Sequence, residues 1–414
     1  MIEPMDMLVK AGYHPRRACP VWVQLPLQES GIPTVRLTDA DGNPVPCQVE
    51  PSGGGQDDRL WLTWIVRDLD VGEERRYHLE PVTTAEGEGE SGAASGATDH
   101  GPGVVLTELP DGKLAVQVNG EDFTTYNFGS DVVRPYFYPL LGPNGKSIVR
   151  TWPMVKGPDG KVEGETSDHP HHKGLYVAHG DVNGTDHWSE GPNHSTMRHA
   201  GFQRLVSGPV YGSFDETVEW LDRDGTRVVL QETRRVTIFN LEPDERIIDL
   251  SLRFQASSGT VTFGDTKEGG LVSIRVASSM DGPTRSRPDG VGRIENSYGG
   301  RQEEETWGKR AMWCDYYGPV DGDIVGVCLM DHPTNPRYPT HWHVRAYGLM
   351  TANPFGLHDF YNDPDTHRGD WTIPANESRN FLYRVLLHRG STSEARVAER
   401  YHDFVNIPSV QLQP

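Results

Sequence analysis

A chain of 414 residues is long enough for two or three domains and at least one sizeable core. Its 46 Gly, 31 Pro and 35% hydrophobic residues describe a turn-rich protein rather than a helical one. A formal charge of −20 argues against the cationic footprint that nucleic acid requires, so neutral or cationic small molecules fit better as ligands.

At the N-terminus, Met1–Lys10 shows no basic segment leading into an apolar run, so no secretory signal is visible. No window approaches the ~18 uninterrupted apolar residues that span a membrane. The expectation is a cytoplasmic protein with no membrane partner. Cys19, Cys47, Cys314 and Cys328 lack C-x-x-C spacing and sit in apolar, strand-like sequence, which predicts reduced, buried thiols.

From Cys19 to Leu79 the chain alternates β-rich runs (Val21–Leu25, Thr34–Leu37, Val45–Val49, Leu60–Val66, Arg75–Leu79) with turn chemistry at Asp41–Pro44 and Ser52–Gly55. This predicts a small, immunoglobulin-like β-sandwich over residues 1–82. Residues 83–103 hold no large apolar side chain that could offset their ordering entropy, and are expected to be a flexible linker or loop. Residues 104–414 then form one large domain. Its strand candidates are Val104–Leu109, Leu114–Val118, Phe137–Leu141, Phe202–Ser207, Ser213–Trp220, Val228–Phe239, Ile247–Phe254, Val261–Phe263, Leu271–Val276, Ile324–Leu329 and Phe381–His388. Asn240–Asp244 reads as a hairpin connection, and Ile248, Leu250, Leu252 and Phe254 alternate with polar residues as in a half-buried strand. So many strands predict large antiparallel sheets packed face to face, in a mainly β chain. A C-terminal helix closes it: Ser391 and Glu394 have capping-box spacing, and Val397, Ala398, Tyr401 and Phe404 share one face.

Chemistry concentrates in Asp168–Gly180, D-H-P-H-H-K-G-L-Y-V-A-H-G, which carries His169, His171, His172, Lys173 and His179. Imidazole titrates near neutral pH and is a common metal ligand. Adjacent strand residues point to opposite faces, so His171 and His172 cannot both face one ligand on a regular strand; His172 and His179 are the pair expected to share a cleft. Just downstream, Asp181, Asn183 and Trp188 offer short polar groups beside an indole, which suits sugar hydroxyls and C–H faces or simply makes turns. Lys267 and Glu268, on the glycine-flanked turn Gly264–Gly270, are candidates for a base or ligand, against the plainer reading of a charged hairpin. His341 and His343 are two apart and would share a strand face, a usable spacing for two ligands of one metal, with Arg337, Trp342, Arg345 and Asn353 nearby as candidate substrate contacts. Glu303–Glu305 reads as a solvated charge run. A divalent ion (Mn, Zn or Mg) held by His171, His341 and His343 is one expectation, and the nucleotide fingerprint, the G-x-S-x-G elbow and H-E-x-x-H are absent.

These motifs, D-H-P-H-H-K-G-L-Y-V-A-H-G-D-V-N-G at 168–184, G-D-T-K-E-G at 264–269, W-G-K-R-A-M-W-C-D-Y at 307–316, and N-P-R-Y-P-T-H-W-H with N-P-F-G within 335–356, resemble the PmoA-like family. That family carries a methane oxygenase label suggesting a membrane copper enzyme, whereas this acidic chain shows no membrane span. The resemblance also implies proximity to sugar oxidoreductases and isomerases, and a β-supersandwich of the galactose-mutarotase type. Both point to a small-molecule carbohydrate. The function expected is a metal-assisted lyase or hydrolase acting on an oxidised (3-keto) sugar or glycoside, with His172, His179, Lys267 and Glu268 in catalysis. A mutarotase-like epimerase and a non-catalytic carbohydrate-binding protein are the rivals, and a homo-oligomer is left open.

Overall fold

The period-2 burial along the chain is realised as sheets in a computed structural model that describes residues 3–26, 32–51, 59–82, 103–285 and 287–413. The linker expected over 83–103, apart from Gly103, and the Ser52–Gly55 turn lie outside the described residues.

The N-terminal part contains β1 (Met5–Lys10), β2 (Cys19–Pro26), β3 (Val35–Asp39), β4 (Pro44–Val45), β5 (Cys47–Pro51), β6 (Arg59–Val66) and β7 (Glu74–Pro81). Two small antiparallel sheets form, one ordered β2-β6-β5 and the other β1-β7-β3-β4. Met7, Val21, Leu37, Val49, Leu62, Trp64 and Leu79 alternate inward and pack a core of their own. The last strand of the chain, Ser409–Gln413, pairs with β1 along its full length, which ties the C-terminus to the N-terminal sheet.

The larger part continues with β8 (Val104–Leu109), β9 (Lys113–Val118), β10 (Glu121–Asn127), β11 (Tyr136–Leu140), β12 (Leu175–His179), β13 (Met197–Val206), β14 (Tyr211–Leu221), β15 (Val228–Phe239), β16 (Glu245–Gln255), β17 (Val261–Phe263) and β18 (Gly269–Arg275). There follow β19 (Arg293–Asn296), α1 (Gln302–Thr306), β20 (Trp313–Val320), β21 (Asp323–Asp331), β22 (Trp342–Val344), β23 (Leu349–Ala352), α2 (Leu357–Tyr361), β24 (Trp371–Ile373), β25 (Ser378–Arg389) and α3 (Val397–Val405). Two eight-stranded antiparallel sheets result, β22-β23-β18-β12-β11-β10-β9-β8 and β13-β14-β15-β16-β25-β21-β20-β19. They pack face to face over one continuous core that includes Leu175, Val177, Phe214, Trp220, Ile248, Leu250, Phe254, Ile274 and Val385. The expected mainly β architecture, a small sandwich followed by a large one with a C-terminal helix, is what forms.

Several strands carry too little hydrophobic alternation to be read in advance. β10 (E-D-F-T-T-Y-N) and β19 (R-I-E-N) are polar on one face, and β13 begins five residues before its expected start because its bulged edge faces solvent. At the C-terminus the Ser391–Glu394 box does form, with Ser391 N donating to Glu394 Oε2 at 2.8 Å, but it caps a preceding turn. The α-helix itself starts at Val397, after Arg396 at φ +54°. Its apolar side, Val397, Tyr401 and Phe404, covers the outer face of the second sheet at Phe239, Ile247 and Leu386. All four cysteines are free and buried.

Candidate functional site

Strand parity decides which histidines meet. Along β12, Leu175, Val177 and His179 point into the sandwich, whereas Tyr176 and Ala178 point outward to Trp188, Tyr347 and Leu349. His179 therefore packs between Phe263 and Phe355, and its Nε2–H donates to the carbonyl of Gly264 at 2.9 Å. Burial lowers its pKa to about 4. It does not share a cleft with His172, which corrects the expected pair: the two are seven positions apart, but Gly174 turns the chain between loop and strand. Gly174 sits at φ +57°, and a Cβ there would lie 2.0 Å from the carbonyl oxygen of Phe137.

The outward face of β12, β18, β23 and β22 carries the site. Register places Tyr176, Ser273, Thr351 and His343 in one row across four strands. Arg275 lies one pleat along, opposite Leu349. Above this row the loop around Asp168–Lys173 brings three imidazoles together. His169 and His172 stack at 4.8 Å, and His171 meets His172 edge-on at 4.3 Å. His169 stacks on Tyr347 at 5.0 Å, and Trp188 packs edge-on against His172 at 5.2 Å. The Arg275 and Arg345 guanidiniums lie 4.7 and 5.4 Å from the Tyr347 ring centre.

Arginines hold the loop in place. Arg150 donates to Asp168 Oδ1 and to the carbonyls of Asp168 and His169 at 2.6–2.8 Å. Arg134 donates to the carbonyls of His171 and Trp188. The His169 ring, its Nδ1 3.4 Å from Asp168 Oδ2, together with Arg275 and Arg150, keeps the Asp168 carboxyl well below the usual range. Burial, reinforced by Arg134, pushes His171 down to about 3, and burial with neighbouring His171 and Arg275 holds His172 well below its ordinary value. Burial and Arg345 take His343 to about 3. These imidazoles are neutral at pH 7.

Buried polar atoms without a protein partner gather on this side: His172 Nε2, the Tyr176 hydroxyl, Trp188 Nε1, Trp307 Nε1 and His343 Nδ1. Orphaned buried donors are rare in folded proteins and point to a ligand or ordered water. For His172 the tautomer follows: Arg275 Nη1, a donor only, lies 3.2 Å from Nδ1, so the ring proton sits on the unpartnered Nε2.

The other sequence candidates divide into neighbours of this face and framework. Lys267 Nζ pairs with Asp359 at 3.4 Å and with Glu268 at 3.7 Å, and the charges of Lys267 and Glu268 reach His343 and Tyr347 respectively. Arg345 pairs with Glu303 Oε1 at 2.8 Å; Glu303 also accepts from Ala346 N, so the run at 303–305 is not purely a solvated face. His341 and His343 do share a face, as spacing predicts, but Phe360 of α2 stacks on His341, and His341 Nε2 bonds the Tyr361 hydroxyl at 2.9 Å. His171 stands with Trp188, away from that helix. Among the described residues no three His, Cys, Asp or Glu side chains converge to hold a metal ion, so His171, His341 and His343 are not one ligand set as they stand.

Asp181, Asn183, Arg337, Trp342 and Asn353 are framework, contrary to the expected substrate contacts. Asp181 accepts from Gly184 N in a turn, and Asn183 bonds Thr260 and Thr262 backbone. Arg337 spends its guanidinium on the carbonyls of Pro354, Gly369 and Asp370. Trp342 is fully buried in the core and donates to Ala311 O. Asn353 donates to the carbonyls of Thr266 and Lys267 and accepts from Phe355 N and Gly356 N. Trp188 alone of the polar–aromatic group packs against the histidine loop and Tyr176. Sequence reasoning missed Tyr176, Arg275 and Tyr347; Tyr176 was available from strand parity with Ala178, but the arginine and the hairpin tyrosine needed the sheet register.

A family profile matches residues 113–402, the sheet pair from β9 onward with its loops. The chain belongs to DUF6807, a family of unknown function. The PmoA-like resemblance of the motifs gains no support from that match. Among curated proteins, none is similar enough to match the DUF6807 chain. Of solved structures, a protein in glycosyl hydrolase family 38 from Enterococcus faecalis is similar at TM-score 0.41 and 11% identity, covering 99% of this chain; the chain spans about half of that protein's length, 47%. A galactose mutarotase related enzyme from Lactobacillus acidophilus (TM-score 0.26, 10% identity, 70% of this chain and 98% of its own) and a GalM/aldose epimerase homologue from C. elegans (TM-score 0.24, 10% identity, 70% and 96%) are also similar. Such identities and scores do not transfer chemistry to the DUF6807 chain. No helix among the described residues is long and apolar enough to cross a membrane.

Proposed function

We propose that the histidine loop and the outer face of β12, β18, β23 and β22 bind a small oxidised carbohydrate, and that the protein cleaves it by proton abstraction next to a carbonyl followed by elimination, as a carbon–oxygen lyase on a 3-keto-glycoside. The observation that carries this reading is the buried His172 Nε2–H with no acceptor, beside the indole of Trp188 and the phenols of Tyr176 and Tyr347. Donors without acceptors call for a ligand rich in oxygen, and aromatic faces suit the C–H faces of a sugar ring.

In this reading the neutral His172 donates to the carbonyl oxygen, with its proton held on Nε2 by Arg275. A neutral imidazole of depressed pKa can stabilise a developing enolate without giving up its proton. The Glu268 carboxylate takes the adjacent C–H proton, the C–H electron pair forms the enolate, and collapse of the enolate makes the C=C bond and breaks the C–O bond to the leaving group. The leaving oxygen is protonated by the Lys267 ammonium, which lies 3.7 Å from Glu268.

The test is release of p-nitrophenol from p-nitrophenyl 3-keto-glucoside, with the unoxidised glycoside as control. Release from the oxidised compound only is expected, and His172→Ala should lower kcat/KM by about 100-fold or more. Absence of release, or a His172→Ala rate equal to that of the parent, refutes the lyase. Calorimetric sugar binding without any product would favour the binding protein, and anomeric or epimeric interconversion without cleavage the epimerase.

A further inference from the structure

A trough lies between the N-terminal sandwich and the outer face of the second large sheet, on the other sheet from His172. Two adjoining cavities of about 260 and 220 Å³ share Trp22, Arg235, Thr237 and Asp249 and so form one channel. Its floor is a polar stripe set by register: Ser213, Thr237, Asp249 and Arg384 stand opposite one another across β14, β15, β16 and β25, with Arg235 paired to Ser251 in a neighbouring row. Crossing four strands makes this stripe about 14 Å long at the usual strand spacing, longer than one sugar ring. The facing wall is the outward side of β2 and β6, where Trp22 opposite Thr63 and Trp61 opposite Gln24 are diagonal neighbours. Trp22 is 40% exposed, an unusual state for an indole.

The lining is polar yet electrically balanced. Arg235 pairs bidentately with Asp215 at 2.6 Å, Arg384 with Asp249 at 2.7 and 2.8 Å, and Arg204 with Glu50 across the two domains. Each cation is thus cancelled by its own carboxylate, which selects against an ionic ligand. The hydroxyls of Thr63, Ser213, Thr237 and Ser251 and the indole N–H groups of Trp22 and Trp61 have no hydrogen-bond partner among the described residues. Planar charged pairs, short free hydroxyls and accessible indoles facing them are the chemistry that recognises sugar hydroxyls at the edge of a ring and its C–H groups on the face.

We propose that this trough binds a neutral oligosaccharide or polysaccharide chain, as a second carbohydrate site independent of the histidine cluster at His172. The two sites lie on different sheets, so the trough would hold a chain while chemistry proceeds elsewhere. Binding here stands whether or not the histidine cluster is a lyase site.

The test is affinity electrophoresis of the full chain in native gels containing hydroxyethyl cellulose, xylan or soluble starch. Retardation in at least one gel is expected. Trp22→Ala with Trp61→Ala should weaken it roughly tenfold, the scale of losing aromatic contacts. Thr237→Glu, on the solvent side of β15 and outside the core, blocks the floor without removing an aromatic, so a poorly folded tryptophan variant does not end the experiment. His172→Ala should be retarded like the parent, and the trough variants should keep the parent's rate on p-nitrophenyl 3-keto-glucoside. Migration unchanged by all three polysaccharides, or variants retarded as strongly as the parent, overturns the proposal.

Discussion

Asn353 makes the sharpest stability prediction, because every polar atom of its side chain is used. The residue is fully buried, and its amide joins two loops: Nδ2 donates to Thr266 O at 3.0 Å and Lys267 O at 3.2 Å, while Oδ1 accepts from Phe355 N at 2.9 Å and Gly356 N at 3.0 Å. Asn353→Ala removes four hydrogen bonds and leaves four backbone groups without their partner, the N–H groups of Phe355 and Gly356 buried and the carbonyls of Thr266 and Lys267 partly so. At about 1 kcal/mol net per bond the loss is about 4 kcal/mol, and more if none of the four groups regains a partner. Urea unfolding followed by tryptophan fluorescence measures it, with the parent and Asn353→Ala compared at equal m-value. Because the same amide holds the turn bearing Lys267 and Glu268, limited proteolysis should cut near that turn faster in the variant than in the parent. A loss below about 1 kcal/mol would refute the reasoning, since it would mean that the four bonds are replaced by water or are not made.

Two further predictions concern the chain around β12. His179 and His187 are buried and neutral, burial lowering each pKa to about 4 against 6.5 for an exposed ring, so the unfolded chain binds protons that the folded one does not. Stability should therefore fall as pH drops from about 6.5 towards 4, and His179→Gln should flatten that slope by up to ~1.4 kcal/mol per pH unit; an unchanged slope in chemical denaturation would contradict the assigned burial. Gly174→Ala should lower Tm and weaken the near-UV dichroism of the Trp188 region, because φ +57° and a contact of 2.0 Å to Phe137 O leave no room for a Cβ; an unaltered melt would count against the turn.

Much of the frame is legible in the order of residues. The alternation of Ile248, Leu250, Leu252 and Phe254 with polar neighbours names β16 and its buried face, because a strand's side-chain period is fixed at two whatever surrounds it. The hairpin at Asn240–Asp244 and the buried thiols follow from equally local chemistry. The His-rich loop likewise marks where the chemistry gathers, and His171 and His172 do stand together there.

What the sequence could not decide is which distant residues share a face. His179 looks like the partner of His172 in the linear pattern, yet the Gly174 turn and the parity of β12 send it into the core, while Arg275 on β18 and Tyr347 in the β22–β23 turn reach His172 and His169 from a hundred or more residues away. Asn353, Arg337 and Trp342 read as ligand contacts from their chemistry alone, but their donors and acceptors are consumed by backbone groups that become neighbours only when the loops pack. Composition and period are properties of a short stretch and are written in it; sheet register and loop closure are set by contacts between segments far apart, and only the assembled sandwich fixes them.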